Sequence, residues 1–413
     1  MHTLFNRLFY LVLFLGFFLP SNSTFYLPLP GVQLRINEFA FFVLPVINLF
    51  CYSPSGAIFK NSSLKRNIIL LIIVVVFTEV VVKKFMYGQS LGDAIKAIRV
   101  GLPLFSSLVL ITQGIRADIT IVWKTILLAV SASVLIAILS VFVSLPIYPN
   151  FDDGADILRQ QGGRLGNANF HFGLIGMYLL IQESDKWYSQ GKLVKITAIL
   201  SVFAIILSFN RTLLALMSLE AAYLLWNKFD FKKIMRIASY GVLALAVFFG
   251  AYANNQTMRN QIDKRIFSIL EGQQSITEST VDGNREVIYN AVEEKLTAGY
   301  YLMGLPYKTP IFTWIARWSF QDDRHMTVTD TSIFTIILRY GIIPLLLISI
   351  ILKQLYSLSN NLFFKTILIL ILIGSLNLDL LLRLNTTLFL ALIFLITKAK
   401  INEQDSIHSK DQY

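Results

Sequence analysis

The chain has 413 residues, 55% hydrophobic and only 15% charged, with a mean hydropathy of +0.62. That balance excludes an ordinary soluble globular protein and points to a polytopic membrane protein. The formal net charge of +11 reads as Lys and Arg held at the cytoplasmic side and near anionic headgroups, not as a nucleic-acid surface.

Arg7 precedes the apolar run Leu8 to Leu19, but Pro20 and Ser21 lead on without a small-residue cleavage pattern. This is the signature of an uncleaved first helix. Measured against the roughly 20 apolar residues that span a bilayer, the sequence predicts about 12 helices. They fall at 4–20, 33–52, 67–83, 94–114, 119–144, 168–182, 193–208, 212–226, 237–253, 330–352, 363–378 and 385–397. The last two are joined by a turn from Leu378 to Leu384 that also suits a re-entrant pair. The expected organisation is nine spans over 1–253, a long outer loop over 254–329, three spans over 330–400, and a polar, disordered tail over 401–413. No internal repeat of the transporter kind is visible. The single cysteine, Cys51, cannot form an internal disulfide and reads as a small buried residue. The four His are scattered, no metal-ligand spacing appears, and no cofactor is expected.

Orientation follows from Lys and Arg in the short loops. With the N-terminus inside, inner segments hold about 17 positive charges, among them Lys65, Arg66, Lys192, Lys232 and Lys233, and outer ones about six. Both termini are then cytoplasmic and the insert faces the periplasm. Lys83-Lys84 is the weakest point of this topology.

Two outer segments are substantial. The first, about 145–167, carries Asp152-Asp153-Gly154 and Gly162-Gly163-Arg164. The second, 254–329, is nearly balanced, with nine acidic and eight basic residues. Within it Arg285 to Leu296 places Val287, Ile288, Ala291, Val292 and Leu296 at helical spacing. This predicts an amphipathic helix lying along the membrane or against the bundle, ended by Gly299, Gly304 and Pro306.

Charges in or beside membrane helices are costly and usually functional. The outer candidates are Arg164, Arg211, Arg285, Asp330 and Arg339. Each has a plainer alternative. Arg211 can snorkel to headgroups, Arg285 can pair with Glu286 or Asp282, and Arg164 can be an ordinary loop cation. Asp330 can be a helix N-cap, and His325 is a rival base five residues earlier. Arg339 lies more than two turns inside its helix and needs a partner, for which Asp379 and Glu79 are candidates. Lys96 and Arg99 form a further pair on one face of the fourth helix. Taken together, arginines that grip phosphate in bidentate fashion and a carboxylate that takes a hydroxyl proton suit a polyprenyl diphosphate donor and a sugar acceptor. Positive charge would stand where the departing diphosphate develops negative charge.

Four motifs carry a resemblance. They are Gly163-Arg164-Leu165-Gly166-Asn167-Ala168-Asn169; Ser208-Phe209-Asn210-Arg211-Thr212-Leu213-Leu214-Ala215; Asn284-Arg285-Glu286-Val287-Ile288-Tyr289 with Gly304-Leu305-Pro306; and Thr329-Asp330-Thr331-Ser332 through Tyr340-Gly341. In this order, across roughly 160–345, the chain resembles the O-antigen ligase and polymerase (Wzy-type) superfamily of bacterial membrane glycosyltransferases. The ligases carry His where this chain has Asp330, which is closer to the polymerases. Tyr289 stands where Trp is common, and Pro306 replaces the second Gly of a Gly-x-Gly turn. The resemblance implies a GT-C-like fold and metal-independent transfer in the bacterial inner membrane. It implies phosphate contacts from Arg211, Arg285 and, more weakly, Arg164, with Asp330 activating the acceptor and Arg339 and His325 in support. The expected partner is an undecaprenyl-diphosphate-linked oligosaccharide among membrane lipid, with a chain-length regulator as the candidate protein partner. The rival expectations are a ligase onto lipid A-core and a lipid-linked glycan flippase.

Overall fold

A computed structural model describes residues 2–19, 26–29, 32–54, 56, 61–140, 172–181, 191–208, 211–227, single positions between 231 and 259, 283–314, 324–326, 329 and 331–410. Among the described residues the protein is helical apart from two short hairpins. In chain order α1 spans His2–Phe18, β1 Tyr26–Leu29, β2 Val32–Arg35, α2 Ile36–Phe50 and α3 Ser62–Phe77. A π-helical turn, Thr78–Val82, joins α3 to α4, Lys83–Tyr87. Then come α5 Leu91–Gln113, α6 Ile119–Ser140, α7 Phe172–Ile181, α8 Lys192–Ser208 and α9 Arg211–Asn227. Beyond them lie α10 Gly283–Thr297, β3 Phe312–Trp314, β4 Arg324–Met326, α11 Ser332–Tyr340, α12 Ile342–Leu358, α13 Leu362–Gly374 and α14 Leu384–Lys410.

Apolar side chains on facing helices build one large core. In it α1 packs on α2 and α6, α5 on α2 and α14, α8 on α6 and α7, and α9 on α7 and α13. The α14 helix is buried nearly all round between Leu388 and Ile396, as expected of a helix apolar on every face. By length and hydropathy, Leu91–Gln113 and Ile119–Ile136 can each cross a bilayer. Among the described residues seven further apolar helices, including His2–Phe18, Ile342–Leu358 and Asn385–Ala399, are shorter.

Several sequence expectations are corrected. The segment 330–352 is two helices. Gly341 breaks them with φ +89°, a conformation that glycine adopts without a Cβ clash, and Pro344 follows in the first turn of α12, where its missing N–H costs nothing. The run 67–83 extends from Ser62 to Tyr87 because the π turn absorbs one extra residue without ending the helix. Residues 33–35, counted as helix, belong to the hairpin in which Leu29 faces Val32. The tail remains helical to Lys410. In the predicted helix 237–253 the described positions are helical, but its bounds, like the outer segment 145–167 and residues 260–282, lie outside the described residues.

The insert's helix forms where expected. Ile288 and Val292 of α10 turn toward Leu305, Ile311, Phe312 and Leu338 and make a second, smaller core. Leu338 belongs to α11, so this part of the insert is packed on the bundle.

Candidate functional site

The insert is anchored on charged groups brought in by the π turn. Its wider pitch places Glu79 and Lys83 on one inward face, both completely buried. The Lys83 ammonium uses all three of its protons. It donates to Glu79 Oε1 at 2.5 Å, to the Leu305 carbonyl at 2.9 Å and to the Arg339 carbonyl at 2.5 Å. Gly88, at φ +66°, ends α4 and turns the chain back. Gln89 then donates to the Glu79 carbonyl at 2.9 Å and to Oε2 at 3.1 Å, while its own Oε1 accepts the Tyr307 N–H at 2.8 Å.

Arg339 forms the opposite wall and is also fully buried. Its guanidinium donates to the carbonyls of Pro306 and Thr309, each at 3.0 Å, and lies 5.8 Å over the Tyr307 ring. The turn 299–309 thus presents its carbonyls to two cations. Backbone bonds complete the seat. The N–H of Leu305 donates to Leu338 O and that of Ile342 to Tyr301 O, both at 2.7 Å. The fit leaves no room for a side chain at two glycines. A Cβ on Gly304 would strike the Arg339 carbonyl, and one on Gly341 the Leu302 carbonyl. At the rim Lys308 stands 3.4 Å from Asp93. Two cations and one carboxylate leave a surplus positive charge, which the converging carbonyl dipoles stabilise in a site water does not reach.

A second convergence lies at the start of α11. Thr331 stands at its N-cap position without a side-chain cap hydrogen bond. Thr335 accepts the Thr329 N–H at 2.9 Å and folds the incoming chain over the helix end. Ser332 Oγ donates to Asp379 at 3.0 Å and accepts the Leu381 N–H at 2.8 Å. The 375–383 turn is thereby tied to α11. The end of α13 meets α9, since a Cβ on Gly374 would touch Leu216 at 3.0 Å. The start of α9 therefore stands at the end of the bundle where α13 finishes and α11 begins. On the other flank Tyr289 of α10 meets Phe334 of α11 edge-on, with ring centroids 6.1 Å apart.

Arg211 is the first residue of α9 and Arg285 the third of α10. Their backbones are fixed by these packings. Asp330 and Arg164 lie outside the described residues. His325 is in β4, opposite Thr313 of β3, so it sits in a paired strand. Arg339 belongs to the buried anchor. Of its two expected counter-charges, Glu79 shares the anchor and pairs directly with Lys83, while Asp379 accepts the Ser332 hydroxyl. Arg99 pairs with Glu38 of α2, and Lys96 is exposed.

Sequence reasoning missed Lys83 and Gln89. A usable signal existed, because Glu79 and Lys83 are four residues apart in an apolar run and such a pair must face inward together. It missed Glu220 as well. This residue of α9 is buried, and neither carboxyl oxygen has a hydrogen-bond partner among the described residues.

Compared with models of known protein families and with curated protein sequences, the chain matches none.

Proposed function

We propose that this chain is a glycosyltransferase of about 12 membrane spans, with a GT-C-like architecture and both termini in the cytoplasm, that polymerises polysaccharide repeat units at the periplasmic face of the bacterial inner membrane. The donor is a growing glycan on undecaprenyl diphosphate. The acceptor is the nonreducing-end sugar of a new lipid-linked unit. The acceptor hydroxyl attacks the anomeric carbon, its proton passes to Asp330, and the bond to the diphosphate oxygen breaks. Arg211 and Arg285, with Arg164 in a lesser part, hold the departing diphosphate, whose growing charge they stabilise without moving. A chain-length regulator is the proposed protein partner.

The observation that carries this reading is the packing of α10 on α11. The helix that bears Arg285 lies against the helix that begins two residues after Asp330, joined by Tyr289 and Phe334. A loop helix with a cation at its start, fixed beside the element that supplies a carboxylate, is what transfer from a lipid diphosphate requires. The four motifs that resemble the O-antigen polymerases give the same assignment. Deleting the gene and running surface glycan on a gel tests it. Loss of a polymerase leaves single repeat units on the core. Loss of a ligase leaves none while long chains persist on the lipid carrier, and loss of a flippase strands single units on the inner face.

A further inference from the structure

The buried anchor has no place in the chemistry just described, yet it is the most heavily bonded polar cluster among the described residues. Lys83 reaches a carbonyl in the turn 299–309 and a carbonyl at the α11–α12 break at the same time. It is the one side chain described here that bridges α4, the turn and the break directly. Gln89 holds the turn from the α4 side and Arg339 from α11. The turn leads directly out of α10, whose last residue, Thr297, is two positions before Gly299. Whatever fixes the turn therefore fixes the C-terminal end of the helix that carries Arg285.

We propose that Lys83, paired with Glu79, is a positioning residue, whose ammonium clamps the 299–309 turn into the notch at Gly341 and so sets the stance of α10 beside α11. Ammonium chemistry suits the task. Three donors diverge from one atom and meet a carboxylate and two carbonyls from three separate elements, so the clamp closes only when all three are seated. Glu79 fixes the ammonium from behind and is itself held by Gln89. The proposed effect on catalysis rests on the polymerase reading; the clamp itself does not.

The test uses purified full-length protein in detergent. In a Cys51→Ala background, Leu305→Cys puts a thiol at a position with no exposure in the native chain. N-ethylmaleimide then reports release of the turn. The otherwise native protein is expected to react slowly. Adding Lys83→Met with Glu79→Gln, which leaves no lone buried carboxylate, is expected to speed labelling about a hundredfold, since labelling follows the open population. Lys83→Arg, which keeps a multiply donating cation, should restore most of the protection. Unchanged labelling in the double variant overturns the clamp. Should that variant fail to accumulate, Gln89→Ala removes bonds but no charge and should still speed labelling severalfold; no change there overturns it equally.

Turnover of a synthetic lipid-linked repeat unit gives the second readout. The double variant is expected to lose about tenfold in kcat with KM unchanged, because the lost interaction orients groups rather than binding the unit, and Lys83→Arg should recover it. Faster labelling with unchanged kcat overturns the positioning role while leaving the clamp. If the native protein forms no polymer, the polymerase reading falls and labelling alone decides the clamp.

Discussion

Lys83 Nζ lies 2.9 Å from the carbonyl oxygen of Leu305, a residue 222 positions further along the chain. This bond joins the end of the third predicted span to the insert at 254–329. Lys83, half of the pair that is the weakest point of the charge-based topology, is a buried, fully bonded group and not a loose loop cation. Lys84 beside it is exposed.

Arg339 supplies the other half of the anchor, and its planar fork matters as much as its charge. Arg339 bonds the Pro306 and Thr309 carbonyls from two separate nitrogens, a spread that the single nitrogen of lysine does not reproduce. Arg339→Lys is expected to destabilise by about 2 kcal/mol, within the range for hydrogen bonds to charged groups. Arg339→Met, which leaves the Pro306 and Thr309 carbonyls without these donors, should cost about 3–5 kcal/mol, at roughly 1–3 for each buried group left unsatisfied. Thermal unfolding in detergent, followed by loss of the monodisperse peak, checks the order native, Lys, Met.

Three glycines give a controlled comparison. Gly299, Gly304 and Gly341 all have positive φ, at 84°, 76° and 89°. A Cβ at Gly299 meets nothing within 4 Å, whereas at Gly304 and Gly341 it strikes a carbonyl. Gly299→Ala should therefore cost only the left-handed backbone strain, about 1 kcal/mol. Gly304→Ala and Gly341→Ala should cost several times more and unseat the turn. Equal melting temperatures for all three would refute the close approach.

Much of the helical content was legible because apolar runs of helical length announce themselves in one sequence. The insert's helix was legible for a related reason, as Ile288 and Val292 share a face one turn apart. The break at Gly341 was not, since hydropathy averages over one glycine within an apolar stretch, and its cause, the Leu302 carbonyl, comes from a turn almost 40 residues earlier. Arg339 could be flagged as needing a partner. That its partners are mostly backbone carbonyls depends on a tertiary contact no periodicity encodes. The hairpins escaped because strands of three or four residues carry little pattern.

Glu220 makes a separate prediction. A buried carboxyl with no bonded neighbour among the described residues forfeits its hydration without return. Glu220→Gln keeps the shape and removes the acid. It is expected to leave stability unchanged or raise it by about 1–3 kcal/mol, seen as a melting temperature a few degrees higher. A marked fall would mean that Glu220 has a charged partner in a segment outside the described residues.

The proposed chemistry is tested most directly at Arg211, Arg285 and Asp330. The first two begin helices whose backbones are held by α13 and α11, so exchanging their side chains should leave the fold intact. Asp330→Asn keeps size and hydrogen bonding but cannot take up a proton, and should abolish chain extension at normal expression. Arg211→Ala and Arg285→Ala should each lower kcat by about 10²–10³, the typical cost of removing one preorganised donor from a developing oxyanion. Lysine at either position keeps charge without the fork and should recover part of the loss. Product length from a lipid-linked repeat unit, resolved on a gel, gives the answer for each variant. Normal chains from all three substitutions would remove these residues from the mechanism.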